Sequence, residues 1–196
     1  MTSRDTSNII AFPRQAGQGG AFELRIDLVL MPVPVWRKLL VPARMNFWEL
    51  HVALQDVMGW EDCHLHQFSV DDPGSGARVR LGIPDRSGFH GVHDILPGWE
   101  HSIAPYLSLD GHPALYTYDF GDNWQHEVSL EGVVDDCDDL VLPKCTAGEG
   151  VCPPEDSGGP AMCVSLMTAD SDNEFDPDSV VFDNPRARWQ RAFGRD

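Results

Sequence analysis

One stretch of the chain, and only a short one, carries a full set of helix signals. Asn46 can cap a helix, with Glu49 three residues on as its reciprocal partner. Phe47, Leu50, Leu54, Val57 and Met58 then recur on one face, and Gly59 stands where a left-handed C-terminal cap belongs. Around this segment the apolar pattern has period two instead. Phe22, Leu24, Ile26, Leu28 and Leu30 alternate with Glu23, Arg25, Asp27 and Val29, which predicts a half-buried strand. Met31-Pro32-Val33-Pro34 turns the chain, because proline cannot donate to a ladder, and a return strand is predicted over 36–41. Further strands are predicted at 65–70, 78–83, 115–120 and 124–130, the last two joined as a hairpin through Gly121-Asp122-Asn123. One helix among many strands specifies an α+β fold. It is read as a mostly antiparallel sheet packed by one principal helix, with long loops and an acidic C-terminal region.

Residues 1–20 lack periodicity and are rich in small residues, so they are read as a flexible tail. Residues 21–168 form the α+β domain, irregular over 84–113 and an ordered Gly- and Pro-rich loop over 143–160. Residues 169–196 are an acidic linker and a short amphipathic end with Trp189 and Phe193. Charge is unevenly placed. The net charge of −17 is concentrated in 131–180, where Lys144 is the single cation against 13 acids. Such a chain repels phosphate backbones, which excludes a nonspecific DNA coat and disfavours direct nucleic-acid binding. The one cationic cluster available for it is Arg37, Lys38 and Arg44. The longest apolar run, Leu28 to Trp36, is broken by Pro32 and Pro34 and falls far short of the roughly 18 residues of a membrane span. No apolar leader accompanies Arg4, Asp5 and Arg14, and the five cysteines are odd in number. Both features predict a cytoplasmic chain with reduced thiols.

Three blocks of residues point to a family. The first runs Pro34-Val35-Trp36-Arg37, Leu50-His51, Gln55, Met58-Gly59-Trp60 and His64-Leu65-His66-x-Phe68. The second is Tyr118-Asp119-Phe120-Gly121-Asp122-x-Trp124-x-His126, and the third Gly148-Glu149-x-x-Cys152-Pro153-Pro154-Glu155-Asp156-x-Gly158-Gly159. In this order they resemble the plasmid pRiA4b ORF-3-like family over roughly residues 22 to 185. The resemblance implies an association with plasmids and insertion sequences, and a resolvase-like label in some relatives, but no established reaction. Ser157 stands where relatives often have cysteine, which weakens a thiol role for that loop.

The residues themselves leave several readings open. His66 shares a strand face with Phe68 and Val70, and His126 shares one with Trp124, Val128 and Leu130. If those strands approach, His64, His66, Asp119, Asp122 and His126 could hold a divalent metal, with His66, Asp119, Asp122 and His126 doing acid–base work. The bland alternative makes each histidine a core residue and the aspartates turn formers. Arg37, Lys38, Trp60, Trp124, Glu155 and Asp156 are the candidate binding residues. His51 reads as a boundary residue of the helix. Cys145, Cys152 and Cys163 lack the close pairs of a zinc knuckle. Asp156-Ser157-Gly158-Gly159-Pro160 imitates a serine-protease nucleophile without the rest of that machinery. No cofactor is required by any motif. The reading preferred on these grounds is a non-enzymatic accessory module that binds a protein partner, with a metal-assisted hydrolase and a nucleic-acid accessory protein as alternatives.

Overall fold

A computed structural model describes residues 20–84, 95–135, 137, 139–163 and 175–194. The tail expected over 1–20, apart from Gly20, and residues 164–174, the end of the expected domain and the start of the acidic linker, lie outside the described residues. Eight strands form one sheet: β1 (Ala21–Leu28), β2 (Trp36–Pro42), β3 (His66–Asp71), β4 (Arg78–Gly82), β5 (Ile95–Pro97), β6 (Ala114–Tyr118), β7 (Trp124–Val134) and β8 (Lys144–Glu149). Their spatial order is β5-β4-β3-β6-β7-β1-β2-β8. Every pairing is antiparallel except β4 with β5. The helices are α1 (Phe47–Met58), the single turn α2 (Pro160–Cys163) and α3 (Pro185–Phe193). The fold is α+β, as the patterning predicted.

The alternation in β1 has the expected cause and effect. Leu24 and Ile26 are fully buried and Arg25 and Asp27 pair with each other on the opposite face, so the core lies on one side of the sheet. The strand stops at Leu28, because Leu30 takes a positive φ of 64° and points into solvent. In α1 the Asn46 side chain accepts from the Glu49 amide while Glu49 accepts from the Asn46 amide, at 2.8 and 2.9 Å. Gly59 closes the helix at φ 75°. Its apolar stripe presses Phe47 against Phe68 and buries Leu50 and Leu54 completely. Burying a side chain of this size contributes about 1.5–3 kcal/mol, so this one helix carries a large part of the core.

Three parts of the fold differ from the sequence reading. Residues 95–97, inside the stretch expected as irregular, form the short strand β5 beside β4. Residues 144–149, expected as loop, are the edge strand β8 on β2. The segment is Lys-Cys-Thr-Ala-Gly-Glu, with little of the β-branched, alternating character that marks a strand. The helix is also buried on a second face. Trp48 meets Trp189 edge-on at 4.9 Å and donates its indole N–H to the Pro185 carbonyl, while Arg188 pairs with Asp56. The C-terminal helix thus covers α1 from outside. Among the described residues no helix is long and apolar enough to cross a membrane.

Candidate functional site

The turn after α1, the β6–β7 connection and the loop before α2 come from separate parts of the sequence, yet they meet at one end of the sheet. Trp60 ties all three. Its ring stacks on Tyr118 at 5.2 Å and 20°, and its indole N–H donates to the Pro153 carbonyl at 2.9 Å. Glu155 repeats the connection. One carboxylate oxygen accepts the Glu61 amide at 2.7 Å, and the other accepts the Tyr118 hydroxyl. Burial and the adjacent Glu155 raise the Tyr118 phenol, so it remains a donor. Asp122 accepts the Gly158 amide at 2.9 Å. Gly159, at φ 76°, allows the loop to lie backbone against backbone on the hairpin, since a Cβ there would stand 2.3 Å from the Asp122 carbonyl oxygen.

His64, Asp119 and Asp156 converge where these segments join. His64 Nε2 lies 2.7 Å from Asp156 Oδ1 and 3.8 Å from Asp119 Oδ2. Asp119 and Asp156 both hold left-handed backbone, at φ 52° and 58°, which aspartate tolerates better than most residues. Asp119 Oδ1 accepts the Gly121 amide, fixing the carboxylate in the turn. Burial works against the His64 charge, but the bond to Asp156 and the charges of Asp119, Asp156 and Glu155 outweigh it and raise its pKa. One imidazole and two carboxylates, with His64 and Asp156 reaching solvent, are a donor set that suits a divalent cation.

The chain matches the family model described as plasmid pRiA4b ORF-3-like protein over residues 20–184. The chain belongs to this family. It is similar to the uncharacterized protein y4hQ of Sinorhizobium fredii (strain NBRC 101917 / NGR234), 32% identical over 138 residues, spanning 70% of this chain and 66% of that protein. It is also similar to a solved structure, the protein of unknown function MM3350 from Methanosarcina mazei Go1. That match has a TM-score of 0.73 and 33% identity, and covers 85% of this chain and 99% of that one. Each of the three blocks that carry the family resemblance supplies one of the segments clasped together here.

Most of the family-block residues expected to do chemistry are placed elsewhere. His66 and His126 do share the core face of one sheet, but β6 lies between their strands and Tyr116 between their rings, at 6.0 and 5.2 Å from each. His126 is fully buried against Trp60 and Tyr116 with neither ring nitrogen hydrogen-bonded, and burial pushes its pKa down to about 3. His66 stacks on His51 at 3.5 Å and 8°. Asp122 holds the Gly158 amide instead of facing a histidine. The expected set of His64, His66, Asp119, Asp122 and His126 is therefore corrected: His64 and Asp119 meet, and Asp156 joins them. That partner lies 92 residues from His64, and no spacing rule reaches it.

His51 is not a boundary residue. It is completely buried, with Nδ1 at 2.8 Å from the Tyr116 hydroxyl and Nε2 at 2.8 Å from Asp62. Gln55 donates to the same hydroxyl at 2.9 Å. Donors and acceptors are consistent in one order: Gln55 to Tyr116, Tyr116 to His51 Nδ1, and His51 Nε2–H to Asp62. Burial lowers the pKa of His51 and of His66, and it raises Asp62 to about 6. Tyr116 and His51 are sealed from solvent, so this relay braces α1 against β6. Trp48, His51 and Gln55, spaced three and four apart, form a second helix stripe that an apolar count overlooks.

The other binding candidates are also accounted for. Arg37 belongs to no surface patch. It is 2% exposed, donating to the carbonyls of Val57, Trp36, Glu149 and Gly150, with the Phe175 ring 3.7 Å from its guanidinium carbon. Period two puts it on the core side of β2, between Trp36 and Lys38 on the other face. Lys38 pairs with Glu131 on that outer face. Trp60 and Trp124 are buried and present no stacking surface. Ser157 donates to the Pro154 carbonyl at 2.7 Å, which is a loop bond and not a nucleophile's arrangement. Among the described residues Cys145, Cys152 and Cys163 form no three-ligand group.

Proposed function

We propose that this protein is a non-enzymatic accessory module that binds a protein partner, acts in the cytoplasm and travels with mobile elements. One observation carries the reading. Beside edge strand β8, residues 139–145 and 177–185 enclose a cleft of about 810 Å³. Val141 and Val181 on its walls are 88% and 83% exposed. Large apolar side chains this exposed at a cleft mark an interaction surface more often than a catalytic one. Asp139, Asp178 and Asp183 also line it, and Lys144 is the one cation among its described lining residues, so the fitting partner presents a basic segment carrying apolar side chains. An odd number of cysteines, five, supports a reducing compartment. The plasmid in the family's description supports the association with mobile elements.

The hydrolase reading needed His66, Asp119, Asp122 and His126 around one reacting atom, and their polar groups lie in different surroundings. The nucleic-acid reading needed Arg37 at the surface. Neither is favoured by a specific observation. The test places a photo-crosslinker at position 141 of the full chain in its host. A discrete protein adduct that falls at least tenfold on Val181→Asp, at unchanged thermal stability, supports the module. No adduct, an adduct to nucleic acid, or an adduct indifferent to Val181→Asp overturns it.

A further inference from the structure

We infer that His64, Asp119 and Asp156 together bind one divalent cation of the zinc or manganese class, which locks the three clasped segments to one another. These residues share none of the lining of the β8 cleft, so the inference is independent of the partner reading. The ligand atoms, His64 Nε2 and one oxygen from each aspartate, all lie within 4.8 Å of one another. An ion with bonds of about 2.0–2.2 Å keeps its ligand atoms about 3–3.5 Å apart. The observed 2.7 and 3.8 Å bracket that spacing, and Asp156 can make the small adjustment because it stands on an exposed loop.

The Asp119 carboxylate is already set in place by the fold: it is largely buried, its Oδ1 accepts the Gly121 amide, and its Oδ2 faces the His64 ring from 3.8 Å. A cation placed between them joins that fixed carboxylate to the imidazole. One imidazole with two carboxylates selects a borderline ion over calcium or magnesium, which prefer all-oxygen shells. The exposed side of His64 and Asp156 leaves room for water to complete the coordination. Glu155 is not a ligand, because its oxygens hold the Glu61 amide and the Tyr118 hydroxyl.

The ligands come from the turn after α1, the β6–β7 connection and the loop before α2. A bound ion therefore adds a cross-link to segments that Trp60, Tyr118, Glu155 and Asp122 already hold together. The experiment uses the full chain, stripped with a chelator and titrated calorimetrically with Zn²⁺ alone or Mn²⁺ alone in physiological salt, with Mn²⁺ also followed by electron paramagnetic resonance. The expected result is one site per chain and a raised melting temperature. Asp119→Asn and Asp156→Asn should each weaken binding at least tenfold, while Glu61→Gln, an exposed acid nearby, leaves it unchanged. Asp156→Asn alters an exposed side chain, so its loss of binding does not depend on the chain misfolding. No saturable site overturns the inference. So do several weak sites, or affinity that persists in Asp156→Asn or falls equally in Glu61→Gln.

Discussion

His126 offers a quantitative test of how this core is built. Its imidazole is completely buried, neither nitrogen has a partner, and its pKa is held down to about 3. In the unfolded chain the same group titrates at about 6.5. A histidine lowered in the fold is protonated first in the unfolded state, so it draws stability away as pH falls below about 6.5 and stops doing so near its folded value. The linkage gives a loss of about 0.2 kcal/mol at a pH of about 7 and about 2 kcal/mol at a pH of about 5, a difference of about 2 kcal/mol from this one residue. His126→Leu keeps similar volume, removes the titration and leaves the other groups in place. His51 and His66 act in the same direction as His126, while Asp62, raised to about 6, gains stability over part of the range by taking up its proton in the fold. All three are common to both proteins and cancel in the comparison. Urea unfolding of wild type and variant at both pH values measures the double difference, free of any packing cost of leucine. The variant should lose about 2 kcal/mol less than wild type between the two. Equal losses, within about 0.5 kcal/mol, would refute the burial of a neutral His126.

Arg37→Lys should cost about 2–4 kcal/mol, because an ammonium cannot serve four carbonyls that a planar guanidinium reaches at once. Urea midpoints measure it, and a change under about 0.5 kcal/mol would return Arg37 to the surface patch suggested by its charge. Asn46→Ala removes the reciprocal cap of α1 and should cost about 1 kcal/mol, with Asn46→Asp close to neutral. Equal stability of the alanine and aspartate variants in thermal unfolding would show that the cap contributes nothing.

The sequence by itself determined most of the elements, β5 and β8 excepted, and the principal face of each strand and of α1. Period-two alternation fixed β1, β2, β3 and β7, and the reciprocal Asn46–Glu49 pair with Gly59 fixed the limits of α1, because backbone preference and side-chain period are local properties. The family blocks were legible as well, and the family follows from them. Local information ended where partners are distant. Nothing near His64 announces Asp156, and nothing near Arg37 announces the carbonyls of Glu149 and Gly150 more than a hundred positions away. Tertiary structure also decided the sense of shared residue types. Histidines at 51, 66 and 126 are neutral packing groups because the helix and sheet seal them from water, whereas His64 sits at the open end of the same sheet and keeps carboxylates for company. Chain folding set those distances and that burial, and both govern what an imidazole can do.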